Sequence, residues 1–222
     1  MEADQSRRKS GFFNSKGCTW LMMFSKVHAG VAALQPPQQF EAGTVRSVFI
    51  RPAPIDFVIE LVNAWSPIVR AAAEDHSPYP ELEDLCESHA VQSHRRISSA
   101  TIAALAEEVH HVFAAASDPI EVLSDLVIRI DATVAIDGEG AGWQVPADQW
   151  LRGTILAGLV EHARTDRQLD RLDVCTAHRC ADTYLDATQA ATKKYCSSTC
   201  QTRAKAAARR SRLASSMDGA RQ

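Results

Sequence analysis

The sequence predicts a mainly helical α+β protein: a helical N-terminal domain with one β-hairpin, then a small C-terminal module organised by four cysteines and ending in a basic helix. Three observations carry that expectation. Through the middle of the chain apolar residues recur at spacings of three and four, the period of a helix with one buried face. Around residues 133–145 the pattern turns β-prone and is broken by glycines. Four of the six cysteines fall within residues 175–200, in two close pairs. The 222 residues, 45% hydrophobic, suffice for one packed domain of ordinary size plus a small appendage. No apolar run reaches 18 residues, so no membrane-spanning helix is expected.

Taken in order, residues 1–26 are unlike the rest. Ser6-Arg7-Arg8 followed by Phe12-Phe13 has some likeness to a twin-arginine export signal. The apolar run from Cys18 to Phe24 is short for such a signal, Asn14 and Lys16 interrupt what precedes it, and no Ala-x-Ala site follows. The expectation is a disordered segment or a non-native start, with Met22 or Met23 as an alternative beginning and Cys18 incidental. Residues 27–168 are expected to form the helical domain. Thr44 to Ile50 reads as a short strand between proline-marked loops. From Asp56, expected as an N-cap, an apolar band runs to Trp65, disturbed by Pro67. A second helix begins near Leu82 with acids in its first turn, which suits the helix dipole; Cys86 in it reads as a small core residue. Ser98-Ser99 can cap a long helix from Ala100 to Ala116. Asp118-Pro119 starts another, with Ile120, Leu123, Leu126, Val127 and Ile130 on its apolar side. Thr133–Ile136, the glycine-rich turn 137–142 and Trp143–Val145 read as a hairpin. Trp150 to Ala163 is the last helix of the domain, and Leu169 to Val174 is a short link that favours a docked module over a tethered one.

The module spans 169–214, with a disordered tail expected at 215–222. Cys175 and Cys180 stand five positions apart; fifteen residues intervene before Cys196 and Cys200, four apart. Two tight turns can aim four sulfurs at one point, as a tetrahedral Zn²⁺ site requires. Exchange of water for four thiolates is worth on the order of 10 kcal/mol, enough to fold a segment too small for its own core. The competing readings are unrelated buried thiols or disulfides, and disulfides need an oxidising compartment. The expected cofactor is therefore one structural zinc ion per chain, held by Cys175, Cys180, Cys196 and Cys200. His178 lies within the first turn but is left out, because four thiolates complete the shell.

Charge is distributed unevenly. The chain has 24 basic and 27 acidic residues, net −3. Between Ala187 and Met217 lie Lys193, Lys194, Arg203, Lys205, Arg209, Arg210 and Arg212, and no acid; without these seven the remainder is net −10. Gln201 to Leu213 is rich in strong helix formers. At 100° per residue Lys205, Arg209 and Arg212 share one face, and Arg203 and Arg210 the opposite one. Such a helix suits a polyanion, whose counterions the arginines would release, and an arginine near its start could read guanine edges. The bland alternative is a solvated helix kept for solubility, but solubility surfaces mix both signs. All seven cations are candidate nucleic-acid contacts.

These residues resemble a family. Cys175-x4-Cys180, Tyr184-Leu185-Asp186, Lys193-Lys194-Tyr195, Cys196-Ser197 and Cys200-x-x-Arg203-Ala-Lys are similar to the CGNR zinc finger, found at the C-terminus of predicted bacterial transcription regulators that carry an N-terminal ABATE domain. The name-giving letters fall on Cys200-Gln201-Thr202-Arg203, matching at the cysteine and arginine only. Three residues separate the last two cysteines, where many members have four. The resemblance covers about 171–213; residues 27–168 resemble the ABATE domain in layout. It implies a cytoplasmic, DNA-binding regulator whose N-terminal domain senses an effector or mediates interactions.

Other chemistry is thin. His76, His89, His94, His110 and His111, with Glu107 and Glu108, invite a second metal site, yet no HExxH occurs. The glycines at 138–142 lack the context of a phosphate loop, and no nucleophile elbow is present. No enzyme activity is expected. The alternatives to a DNA-binding regulator are an interaction protein or RNA binder whose zinc module is a structural clip, and a hydrolase built on the histidines, which requires three of them to converge. No membrane partner is expected; a homodimer would help a single small finger bind DNA.

Overall fold

Helix α1 (Ile55–Trp65) runs through the centre of the body, with Phe57, Val58, Leu61, Val62 and Trp65 buried. In this computed structural model the described residues are 46–115, 118–138, 140–166 and 169–219. The expectations for residues 1–26, for Ala116 and for the last residues of the tail lie outside them. Pro54, not Asp56, occupies the N-cap of α1. The ring of Pro54 fixes its own φ near the extended value the cap needs, and Asp56 sits in the first turn, where its charge still complements the dipole. The helix stops at Ser66 because Pro67 has no N–H to continue it; Pro67 instead opens α2 (Pro67–Ala73) at its first turn.

Three further starts follow, two of them by capping chemistry. After α3 (Leu82–Ser88), Ser98 Oγ accepts from the Thr101 N–H at 3.2 Å and begins α4 (Ser99–Ala114). Asp118 Oδ1 accepts from the Glu121 N–H at 2.9 Å and begins α5 (Pro119–Ile128). On α5 the expected apolar side is only partly buried: Leu123 and Leu126 are in the core, but Ile120 is 64% exposed. The reason is position, since Ile120 lies in the first turn, where the helix has not yet reached the core face of α4.

The hairpin is β2 (Thr133–Asp137) and β3 (Gly140–Pro146), antiparallel in the register Asp137↔Gly140 to Thr133↔Gln144. It does not stand alone. Strand β1 (Ser47–Ile50) pairs antiparallel with the other edge of β3, from Ser47↔Pro146 to Ile50↔Trp143, giving the order β1-β3-β2. Helix α6 (Trp150–Asp166) packs against this sheet and against α1 and α5, and its Trp150, Leu151, Ile155, Leu156 and Leu159 are fully buried. Trp150 Nε1 donates to the Arg95 carbonyl at 3.0 Å, satisfying the one polar atom the ring brings inside. Arg152 and Glu108 join α6 to α4 by a two-pronged pair at 2.7 and 3.0 Å.

Glycine lets α6 come close to the chain before α1. The Ala53 N–H donates to the Thr154 carbonyl at 3.1 Å, and a Cβ on Gly158 would sit 2.4 Å from the Ala53 carbonyl oxygen. Beyond α6 a 3-10 turn (Leu169–Arg171) leads into β4 (Leu172–Val174), which pairs antiparallel with β5 (Thr183–Leu185). The described residues form one compact unit, the cysteine module included. No helix among the described residues is long and apolar enough to cross a membrane.

Candidate metal centre

Strands β4 and β5 present the first cysteine pair. The eight residues between them close a tight turn: the Cys175 N–H donates to the Asp182 carbonyl at 2.9 Å, and the Cys180 N–H to the Ala177 carbonyl at 3.1 Å. Arg179 takes the left-handed φ of 62° that the reversal needs. The second pair comes from the start of α7 (Ser198–Gly219). Ser197 Oγ accepts from the Cys200 N–H at 3.3 Å and so caps that helix while fixing the last cysteine in its first turn. The two halves are tied by Thr176, whose N–H and hydroxyl both donate to the Lys194 carbonyl, at 3.1 and 2.9 Å.

The result is a cluster. The sulfurs of Cys175, Cys180, Cys196 and Cys200 all lie within 4.8 Å of one another. The Cys180–Cys196 separation is 3.7 Å and the Cys196–Cys200 separation 3.6 Å. A tetrahedral site with 2.3 Å metal–sulfur bonds sets its sulfurs about 3.8 Å apart, close to these two separations. An all-sulfur donor set suits zinc or iron–sulfur chemistry and not the oxygen-loving cations. The cysteines are free thiols, not disulfides. Burial pushes the Cys196 thiol up to about 12 and raises Cys180 as well. Burial also works to raise Cys200, but the hydrogen bonds from Ser197 and from the other cysteines bring it net below its ordinary value. A cation is what would let the whole set ionise, with release of protons. Asp182 Oδ2 accepts from the Cys196 thiol at 3.3 Å.

The shell around the thiols is built from Tyr184 and Asp186. Tyr184 is 4% exposed and its hydroxyl faces the Lys193 carbonyl at 2.6 Å and Asp173 Oδ2 at 3.1 Å. Burial, with Asp173 beside it, pushes this phenol above its ordinary range, so it stays a donor. Asp186 organises the long connection to the second pair. One carboxylate oxygen accepts from the Thr188 N–H at 2.8 Å and from its hydroxyl, the other from the Lys193 N–H at 2.7 Å. The Thr188 hydroxyl contact leads in holding this carboxyl below the usual range.

The predicted nucleic-acid residues divide. Lys193 is half-buried, its ammonium 4.8 Å above the Tyr184 ring, and it belongs to the module's own packing. Lys194 is exposed, next to the knuckle. Arg203, Lys205, Arg209, Arg210 and Arg212 are all exposed on α7, where between Gln201 and Arg212 only Ala204 and Ala207 are half-buried. Among the described residues none of these five forms an ion pair with the acidic body. Arg203 borders a cleft of about 500 Å³ with Arg179, Asp182 and Cys200.

Sequence reasoning missed the seat of the module on the body. Asn63 of α1 grips Thr183 of β5, and His110 of α4 donates from Nε2 to the Ala181 carbonyl at 3.1 Å. Arg179 pairs with Glu74, itself at a left-handed φ of 55°. No spacing signal could reveal Asn63, because its partner lies 120 residues away. The histidines do not converge. His89 binds Glu60 at 2.8 Å, His94 stacks edge-on to Trp150, and His110 is committed to Ala181. Among the described residues the four cysteines are the group that could hold a metal.

Residues 171–213 match the CGNR zinc finger family. The match is confined to the module; the helical body lies outside it. No curated protein matches the chain.

Proposed function

We propose that this chain is a zinc-dependent DNA-binding transcription regulator of the cytoplasm, without enzymatic activity. One zinc ion, held by Cys175, Cys180, Cys196 and Cys200, would act structurally, supplying the charge that lets four clustered thiols ionise. The observation that carries the reading is α7: a helix launched from the thiol cluster, with Arg203, Lys205, Arg209, Arg210 and Arg212 exposed and, among the described residues, in no ion pair with the acidic body. Cations that served to clamp the module onto that body would lie against it. Phosphate neutralisation by such a helix gives sequence-independent affinity that falls with salt, and the two cationic faces allow one to meet the backbone while the other meets base edges. Lys194, exposed beside the second knuckle, adds a phosphate contact; Lys193 does so only through its charge. The helical body would sense an effector or meet a partner.

The test is fluorescence anisotropy of the zinc-loaded full chain on duplex DNA across a salt series. Binding should weaken steeply with salt. Arg209→Ala with Arg212→Ala should lower affinity, and should reduce the salt slope by about one unit for each phosphate that is no longer neutralised. Affinity that ignores salt and both substitutions refutes the proposal.

A second reading is favoured by a different observation, the three-point seat of the module on the body through Asn63, His110 and Arg179. On it the module is a structural clip and α7 meets an acidic protein or RNA. Preference for single-stranded RNA over duplex DNA in the same salt series would select it.

A further inference from the structure

The apolar face of the three-stranded sheet runs on past the helix that covers it. Ile50 of β1 and Val145 of β3 are buried against α6, where a Cβ on Gly153 would meet both side chains. Residues directly opposite one another in an antiparallel pair share a face. Val145 stands opposite Val48, Trp143 opposite both Ile50 and Val134, and Ala141 opposite Ile136. Val134 and Ile136 of β2 therefore lie on the face that α6 uses. Yet they are 76% and 82% exposed, against 2% for Ile50 and 1% for Val145. Ile128, which ends α5 just before β2, is 79% exposed. With Ile120 these complete the exposed large hydrophobics among the described residues, and all fall between positions 120 and 136. Single exposed apolar residues scattered over a surface need no explanation, but a concentration of them marks an interaction site.

The two edges of the sheet differ. On β1, Val48 and Phe49 are half-buried, Ile50 is buried, and Pro52 and Pro54 follow at once. Strand β2 ends the sheet on the other side. It has no proline and no lysine, and its register with β3 runs without a bulge. These are the devices that blunt an edge. Among the described residues β2 pairs with β3 alone, so its outer N–H and C=O groups are a template for another strand.

The edge also specifies what fits it. A strand laid antiparallel along β2 must bring apolar side chains opposite Val134 and Ile136, with a small residue between them. Strand β2 is itself such a strand. About a two-fold axis through Ala135, perpendicular to the sheet, Val134 of each copy falls opposite Ile136 of the other, and Ala135 falls opposite Ala135. Opposed side chains of this kind stand about 4.5–5.5 Å apart and pack as cross-strand pairs. A slip of one residue would turn the apolar side chains to opposite faces. The contact uses the same patch on both copies, so it closes at two.

We propose that the chain dimerises through β2, edge to edge with a second copy, joining two three-stranded sheets into one in the order β1-β3-β2-β2-β3-β1. The dimer forms without nucleic acid and does not involve the thiol cluster.

The test is sedimentation velocity of the zinc-loaded full chain, in reducing buffer and without DNA, over a concentration series. The mass should rise from that of one chain to that of two. Val134→Lys with Ile136→Lys sets lysine opposite lysine across the axis and should hold the chain at the mass of one throughout. Both positions are exposed, so the melting temperature and circular dichroism of a dilute sample should not change. Hydrogen exchange supplies a readout on the natural chain: the outward-facing amides of β2 should slow as concentration rises, while those of β1 keep their rates. The mass of one chain at every concentration overturns the proposal, as does a dimer that survives both lysines or leaves β2 exchange unchanged. Uptake of a free Thr-Val-Ala-Ile-Asp peptide by a chain that stays single would likewise overturn it, assigning the edge to a peptide ligand. Arg209→Ala with Arg212→Ala should dimerise as the natural chain does, so the dimer and the DNA reading stand or fall separately.

Discussion

Asn63 on α1 and Thr183 on β5 are joined by three hydrogen bonds across 120 residues of sequence: Asn63 Oδ1 accepts from the Thr183 N–H at 2.7 Å and from its hydroxyl at 3.0 Å, and Asn63 Nδ2 donates to the Thr183 carbonyl at 3.0 Å. One side-chain amide thus completes the outer edge of β5 as a further strand would. Thr183 is 1% exposed, so removing the amide leaves buried groups without partners. Asn63→Ala should cost about 1–3 kcal/mol of the module's stability. Hydrogen exchange at the Thr183 amide should accelerate while the amides of α4 stay protected; an unchanged Thr183 rate would show that the seat is held elsewhere.

Metal removal should act on the module and spare the body. With chelator, or with Cys196→Ser, metal content measured by elemental analysis should fall from one zinc per chain to none. Limited proteolysis should then cut within 171–213 and leave the helical body intact, since the body has its own core of Phe57, Trp65, Trp150 and Ile155. Concerted collapse of both would mean that the boundary between them carries the body's stability.

Lys193 and Arg209 should part company although sequence treats them alike. Lys193→Ala removes a cation from above the Tyr184 ring and should destabilise the module by about 0.5–1 kcal/mol, with a small effect on the salt slope of DNA binding. Arg209→Ala should leave the melting temperature within error and flatten the slope. Thermal melts and salt titrations of the two variants decide it, and reversal of the pattern would sink the assignment.

His110 should make stability depend on pH. Burial holds its imidazole below the ordinary value, only partly opposed by the hydrogen bond to Ala181, with His111 adding to the lowering. The unfolded chain, with a histidine pKa of about 6.5, therefore takes up a proton that the folded chain resists. His110's contribution is fully present above that pH and declines as pH falls below it, until the folded imidazole also protonates. Urea unfolding followed by tryptophan fluorescence between pH 8 and 5.5 should show this decline, and His110→Gln should reduce it. Equal slopes in the two proteins would assign the pH dependence to other groups.

Gly158→Ala should destabilise the body although alanine is the better helix former. The added carbon would meet the Ala53 carbonyl oxygen at 2.4 Å, a backbone atom that can retreat only by breaking the Ala53–Thr154 hydrogen bond. A loss of about 1–3 kcal/mol in denaturant unfolding is expected. A gain would mean that α6 and the 51–54 segment separate freely.

The parts of this molecule that local chemistry dictates are readable from sequence. Ser98 and Asp118 cap helices because short oxygen side chains do so wherever an apolar period follows. The thiol cluster is readable because its four donors arrive in two local turns. What escapes is non-local. Nothing in Ser47–Ile50 says that it pairs with β3 rather than standing alone, since edge choice depends on which strand α6 covers. Asp56 has the chemistry of a cap, but Pro54 has already set the backbone two residues earlier. Lys193 reads like Lys194, yet the loop that Asp186 folds turns one toward a tyrosine ring and the other to solvent.

The 22 residues of α7, at 1.5 Å each, make a rod about 33 Å long clamped through its first turn, where Cys200 joins the thiol cluster. Its order is therefore conditional. Lys205 and Arg209 are one turn apart, as are Arg209 and Arg212, and like charges at such spacings oppose the helix they decorate. A polyanion laid along the rod would cancel that opposition. The same encounter that gains a ligand would stiffen the beam, so helicity measured by circular dichroism should rise with occupancy. At the fastened end, Ser197 both caps the rod and positions Cys200, so loss of the ion would loosen the clamp and leave the beam without a direction.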